Sequence, residues 1–225
     1  MMKIVVRVGG SVVGSPLNAS LIGNYVGLLN ELKRQGHDVV AVVGGGSLAR
    51  DFIKVAEDLG LEEAQRDWAA IHVSRLFAQL FVLGLGEAGC GCVPVSVDEA
   101  QVCLEMGKVV VLGGLRPGMT TDTVAALVGE RVKADLLVKG TNVDGIYTKD
   151  PKKFSDAKKL DNLNFDDLGG LFEADRHRAG INQIVDPEAI KVLQRCRLRT
   201  VVVNGYNASN VLSAVNGQRV GTVIE

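Results

Sequence analysis

The chain has 225 residues and a formal net charge of −1, with 47% hydrophobic and only 4% aromatic residues. Near-neutrality excludes the basic field that would hold a nucleic-acid polymer, and the apolar content argues against disorder. The length suits one α/β domain whose core is built from Val, Leu, Ile and Ala.

Lys3–Val8 reads as a short buried strand. It follows Met1-Met2 directly, without signal-peptide architecture, so a cytoplasmic protein is expected. Leu17–Gln35 carries apolar residues at helical spacing, including Leu21, Tyr25, Leu28, Leu29 and Leu32, and Gly36 stops it. Val39–Val43 is a second buried strand and Ser47–Leu59 a helix closed by Gly60. Glu62–Leu85 is a long helix, apolar along its length. Its most apolar part, near Leu76–Leu85, is interrupted by Gln79 and too short to cross a bilayer, so no membrane association is expected.

Cys92–Val95 and Val109–Leu112 are read as strands flanking the helix Asp98–Glu105. Thr121–Val132 is a helix leading to the strand Leu136–Val138. This alternation predicts a three-layer αβα sandwich around a mostly parallel sheet. After Thr141 come turn residues and a polar stretch, Lys152–Gly170, anchored by Leu160, Leu163, Phe165 and Leu168, which predicts a hairpin or small excursion. Asp186–Arg195 is a helix with Pro187 in its first turn. Thr200–Val203 (strand), Ala208–Val215 (helix) and Thr222–Ile224 (closing edge strand) finish one domain, 1–225, with approximate lobes at 1–135 and 136–225. The cysteines, Cys90, Cys92, Cys103 and Cys196, form no C-x-x-C pair, and Cys90/Cys92 lacks the second half of a zinc site. They are read as reduced, small apolar residues, and no metal-ligating set is predicted.

Glycine-rich turns follow three of the strands: Val8-Gly9-Gly10-Ser11, Val43-Gly44-Gly45-Gly46-Ser47 and the run Leu112-Gly113-Gly114-Leu115-Arg116-Pro117-Gly118. A strand, a glycine turn and a helix start aim free N–H groups and a positive dipole end at one spot. Three such turns on one sheet point to a ligand with several phosphates. No G-x-x-x-x-G-K-[ST] occurs, so this is not a P-loop enzyme, and the protein-kinase motifs are missing. Gly84-Leu85-Gly86-Glu87-Ala88-Gly89 matches G-x-G-x-x-G but follows a helix, which makes it a helix-stop loop. Gly44-Gly45-Gly46-Ser47-Leu48-Ala49 has the right context for a dinucleotide fingerprint but falls on the second strand.

Taken with Pro117-Gly118-Met119-Thr120-Thr121-Asp122 and Asn142-Val143-Asp144-Gly145-Ile146-Tyr147-Thr148-Lys149-Asp150-Pro151, these turns resemble the amino-acid-kinase superfamily over essentially the whole chain. Asp186 stands where kinases of amino acids usually carry lysine. An aspartate there, with Gly44-Gly45-Gly46-Ser47-Leu48-Ala49-Arg50, is similar to the archaeal type of UMP kinase. Arg7 departs from the lysine common in the first loop, and Arg116 and Met119 replace histidines usual around Pro-Gly.

The resemblance implies Mg²⁺-dependent, in-line transfer of the ATP γ-phosphoryl group to UMP. It implies ATP contacts from Gly9, Gly10, Ser11, Gly46, Arg50, Thr141, Asn142, Tyr147 and Asp150. UMP contacts come from Gly45, Asp67, Leu115, Arg116, Pro117, Gly118, Met119, Thr120 and Thr121. Arg7, Lys139 and Asp122 are the catalytic candidates: two cations for the transferring group and an acid that organises them. It also implies a homohexamer, with Glu62–Leu85 packing between subunits. Other kinases of the superfamily, for isopentenyl phosphate, aspartate or carbamate, and an ATP- or oxyanion-storing protein on the same scaffold are the alternative readings.

Overall fold

The computed structural model describes residues 1–151, 153–166, 168 and 186–225. In chain order its strands are β1 (Lys3–Val8), β2 (Asp38–Val43), β3 (Val110–Leu112), β4 (Leu136–Thr141), β5 (Ile146–Tyr147), β6 (Lys159–Leu160), β7 (Asn162–Leu163), β8 (Thr200–Asn204) and β9 (Thr222–Ile224). The helices among these residues are α1 (Gly10–Val13), α2 (Ala19–Arg34), α3 (Gly46–Asp58), α4 (Glu63–Leu85), α5 (Val97–Glu105), α6 (Thr121–Val132), α7 (Pro187–Cys196) and α8 (Ser209–Val215).

A seven-stranded sheet runs in the order β3-β2-β1-β4-β8-β9-β7. β3, β2, β1, β4 and β8 are mutually parallel, and β9 is antiparallel to β8. Alternation along β1 divides the core. Ile4, Val6 and Val8 pack with α2, α4 and α8, while Val5 packs on the other face with α5, α6 and α7. Such two-faced burial is what the near-continuous Val/Ile strands require. β1 connects outward to β2 and lies between β2 and β4. The chain order therefore reverses there, and the crevice beyond the strand C-termini at that point is where open α/β sheets take ligands.

Local chemistry sets the helix bounds. Asn18 caps α2, its Oδ1 accepting from Leu21 N at 2.9 Å. Glu62 and Gln65 form a capping box at the start of α4. Asp186 caps α7, with Pro187 in the first turn.

Four readings of the sequence are corrected. Cys92–Val95 is an irregular segment; only Gly89 pairs with Val109 there, as an isolated bridge. Thr222–Ile224 is not the edge: two-residue β7 pairs beyond it, too short to carry a periodic signal. Cys90 and Cys103 are joined in a disulfide instead of being free thiols. Together with the turn Gly86–Ala88, α4 forms a 26-residue helical stretch long and apolar enough, by length and composition, to cross a membrane. In this fold it is a core helix, with Phe77, Ala78 and Phe81 buried. Of the expected excursion over 152–170, Lys159–Leu160 pairs back onto Ile146–Tyr147 in a hairpin that begins before that stretch; Leu163, Phe165 and Leu168 are buried anchors and Leu160 is half-buried. The stretch 169–185 lies outside the described residues.

Candidate active site

Strand parity builds the centre of the site. Arg7 shares its side with Val5 on β1, and Lys139 shares its side with Leu137 on β4, so both face the layer holding α6. The parallel register sets Arg7 beside Lys139. Two adjacent cations on one sheet face repel each other, and the first turn of α6 supplies the counter-charge. Arg7 Nε lies 2.7 Å from Asp122 Oδ1, Lys139 Nζ contacts Asp122 Oδ2, and Arg7 Nη2 donates to Thr121 Oγ1 at 3.1 Å. Arg7 Nε and Asp122 Oδ1 form no well-angled hydrogen bond despite their proximity, so that contact is an ion pair only. Arg7 and Asp122 keep 16% and 14% of their side-chain surface exposed, enough to touch a ligand.

The electrostatics follow from burial. Burial pushes the Lys139 ammonium down to about 8, against a partial restoring pull from Asp122, and Arg7 pushes the same way as burial. For Asp122, burial acts upward, but Arg7 and then Lys139 outweigh it and hold the carboxyl below its ordinary range. The result is one anion between two cations, with a net positive charge aimed into a cleft.

That cleft has a volume of about 600 Å³. Arg7, Gly10, Ser11, Gly45, Gly46, Arg50, Thr120, Thr121, Asp122, Lys139, Thr141, Asn142 and Asp150 all line it. A second cavity of about 160 Å³ adjoins it, lined by Gly45, Asp67, Arg116, Met119, Thr120 and Thr121 among others. Gly45, Ala49, Thr120 and Thr121 line both. The glycines are needed because the turns touch: a Cβ on Gly10 would collide with Gly46 N, and Gly46 itself has φ +64°.

Some expected residues sit elsewhere. Gly9 N donates to Gly140 O at 3.0 Å, so its amide extends the sheet and is not available to phosphate. Gly10 and Ser11 precede the first internal bond of α1, made by Val12 N to Gly9 O, and keep their amides for other partners. Tyr147 belongs to the β5–β6 hairpin and lines neither cavity, and neither do Leu115, Pro117 and Gly118. The Gly118 amide instead donates to Asp67 Oδ2 at 2.7 Å, tying the loop to α4. Thr120 spends its hydroxyl as the cap of α6, accepting from Asp122 N and Thr123 N, and donates to Asp186.

Three residues that tie these segments together were not among the expected site residues: Arg75 and Ser74 were missed, and Asp186 was marked only as a family pattern, without its contacts. Asp186 accepts from Thr120 and from Thr123 Oγ1 at 2.9 Å, joining the starts of α6 and α7. Arg75 donates from Nε to Gly114 O at 2.9 Å and from Nη2 to Leu115 O at 3.0 Å. Ser74 Oγ accepts from Gly114 N at 2.7 Å. A signal for Arg75 existed: it is the one charged residue between Asp67 and Glu87.

The profile of the Amino acid kinase family matches residues 2–204. The chain is 41% identical to a uridylate kinase of Methanocaldococcus jannaschii over 226 residues, covering all of both chains. It is 38% identical to a uridylate kinase of Sulfurisphaera tokodaii, covering 100% of this chain and 99% of that one. The crystal structure of uridylate kinase from Archaeoglobus fulgidus superposes with a TM-score of 0.89 at 37% identity, covering 100% of each chain. This chain belongs to the amino acid kinase family, in its uridylate kinase branch. A UMP kinase structure from Bacillus anthracis, at 20% identity and a TM-score of 0.84, shares the family's fold. Membership accounts for the order of the glycine turns and for the parallel sheet. The Arg7–Asp122–Lys139 cluster follows from this chain's own register and parity.

Proposed function

We propose that the larger cavity takes ATP, the smaller takes UMP, and the γ-phosphoryl group passes in line between them to give ADP and UDP. The observation that carries this reading is the junction. Gly45, Ala49, Thr120 and Thr121 border both cavities, with Arg7 and Lys139 beside them in the larger one. Two phosphate-bearing ligands seated on either side meet there phosphate to phosphate.

In this reading the amides of Gly10 and Ser11 and the Arg50 guanidinium hold the ATP phosphates, while Thr141, Asn142 and Asp150 hold its nucleoside. Asp67, Arg116 and Met119 hold UMP, with Ser74, Arg75 and Asp186 fixing the loop. Arg7 and Lys139 neutralise charge on the transferring group, and Asp122 offsets their mutual repulsion and aims them. Both reactants are anions, so shielding and alignment carry the catalysis without a covalent enzyme intermediate.

Mg²⁺ would be brought to the site by ATP. Asp122, held between two cations, is a poor ligand, and Asp150 is the other carboxylate lining the larger cavity. This set, with Ser11 in the same lining, would suit an ion held chiefly by nucleotide phosphates and water, as Mg²⁺ prefers. Its contribution would be further neutralisation of the phosphates. A cytoplasmic hexamer belongs to the same reading. Its self-association is supported by exposed Phe52 and Val55 of α3, with Leu59 just beyond, and Leu76, Leu80 and Leu83 of α4, apolar side chains suited to contact with a second copy; the number six rests on the resemblance alone and the location on the expectation from sequence.

ADP release measured in parallel with UMP, CMP, dUMP, isopentenyl phosphate, aspartate and carbamate tests the assignment. UMP should give the highest kcat/KM. Faster turnover of a non-nucleotide acceptor, or tight ATP binding with no acceptor turned over, would reject it.

A further inference from the structure

Away from the cleft, the segment between α4 and β3 gathers three of the four cysteines. Cys90 follows the Gly86–Ala88 turn, and its amide donates to Val109 O at 3.0 Å while Val109 N donates to Ala88 O at 2.8 Å. These bonds pin Cys90 against the start of β3. Gly91, with φ +83°, turns the chain so that exposed Cys92 comes back beside it. Cys103 approaches from α5, where it is buried. Cys90 and Cys103 form the disulfide, Cys92 Sγ lies 4.0 Å from Cys90 Sγ, and all three sulfurs lie within 4.8 Å of one another.

A crosslink needs two sulfurs, and the third is not explained by it. Thiolates around a tetrahedral zinc-like ion, each with a metal–sulfur bond of about 2.3 Å, stand about 3.8 Å apart. The 4.0 Å separation of Cys90 and Cys92 already matches that spacing. Opening the Cys90–Cys103 bond would let the third sulfur relax toward it. Cys92 is exposed, so the cluster is reached by solvent, the source of a fourth ligand.

We propose that this cluster is a redox-gated thiolate site: with the disulfide reduced, Cys90, Cys92 and Cys103 bind one soft divalent cation of the Zn²⁺/Cd²⁺ class. Disulfide and metal are alternative states of the same sulfurs. A dithiol reductant supplies two electrons and two protons to the S–S bond and leaves as a cyclic disulfide, giving two thiols. Metal binding then replaces the protons of the three thiols, forming a tris-thiolate complex and releasing three protons. Soft thiolates select such ions over Mg²⁺, so the site does not compete for the metal that accompanies ATP.

The test uses the full chain in two states, oxidised and dithiol-reduced, titrated with Cd²⁺ under anaerobic conditions. Thiolate-to-metal absorbance and proton release are followed, with Zn²⁺ affinity measured against a chromophoric chelator. The reduced protein should saturate at one ion per chain with release of three protons, and the oxidised protein should show no such step. Cys92→Ser, at an exposed position, should weaken binding at least about tenfold and lower the thiolate absorbance. Cys196→Ser, outside the cluster, should change neither. Equal binding by oxidised and reduced protein, or by Cys92→Ser and the parent, would overturn the proposal.

Discussion

The two cavities that meet over Gly45 and Thr121 are built in different ways. The larger is made from strand ends and the turns that follow them, with the backbones of Arg7 and Lys139 set side by side by β-register and both side chains paired with Asp122. The smaller leans on one face of α4 and on the loop after β3, held by side-chain contacts from Asp67, Ser74 and Arg75. The first design concentrates charge, with two cations paired to one carboxylate. The second rests on a loop tied to one helix by a few side-chain hydrogen bonds. Four measurements sharpen or break this contrast.

The largest effect should come at Asp122. Asp122→Asn should lower kcat by about 10²–10³-fold, since the two cations lose the counter-charge that holds and aims them. Removal of the carboxylate by Asp122→Ala should also cost about 3 kcal/mol or more of stability, because Arg7 and Lys139 become an uncompensated buried pair. Activity and a denaturant melt check both, and a change in neither would remove Asp122 from the centre of the account. Arg7→Ala comes next, with kcat reduced by about 10²-fold and the KM for ATP changed far less. An effect confined to KM would make Arg7 a binding residue and erase the distinction drawn for the larger cavity.

Asp67→Ala should raise the KM for UMP about tenfold, in line with loss of a charged hydrogen bond to the loop, and leave the KM for ATP nearly unchanged. Equal effects on both substrates would merge the two cavities into one functional unit. The smallest effect concerns pH. With Lys139 needed as a cation, kcat/KM should fall as pH rises through about 8. Its stability term runs the other way. Between about 8 and the ordinary lysine value of 10.5 the unfolded chain holds a proton that the folded chain lacks, so this residue's contribution to stability rises with pH. Lys139→Met should remove both trends, and a profile unchanged by that substitution would assign the ionisation elsewhere.

Legibility from sequence follows the same division. β1, β2 and β4 announced themselves as apolar runs and α6 by its first-turn acid, while Arg7, Asp122 and Lys139 were named as catalytic candidates only through the family resemblance. Their mutual geometry needed the β1–β4 register, which joins residues 132 positions apart and leaves no local trace. The clasp of Asp186 on Thr120 and Thr123 is equally non-local, so the sequence marked Asp186 by family pattern without revealing its partners. Gly9 was misread because the motif alone does not tell which of two adjacent glycines continues the sheet. The cysteine cluster was hidden because Cys103 returns to Cys90 through the packing of α5 and not through any metal-site spacing in the chain.

The most direct test of the central claim is the affinity of a single ligand in which adenosine and uridine are joined through a chain of phosphates. If the cavities meet at Gly45 and Thr121 as described, one such molecule should bind per chain far more tightly than ATP or UMP alone. Arg7→Ala and Asp67→Ala should then each weaken it. Binding no tighter than that of ATP, or insensitivity to Asp67→Ala, would contradict the account.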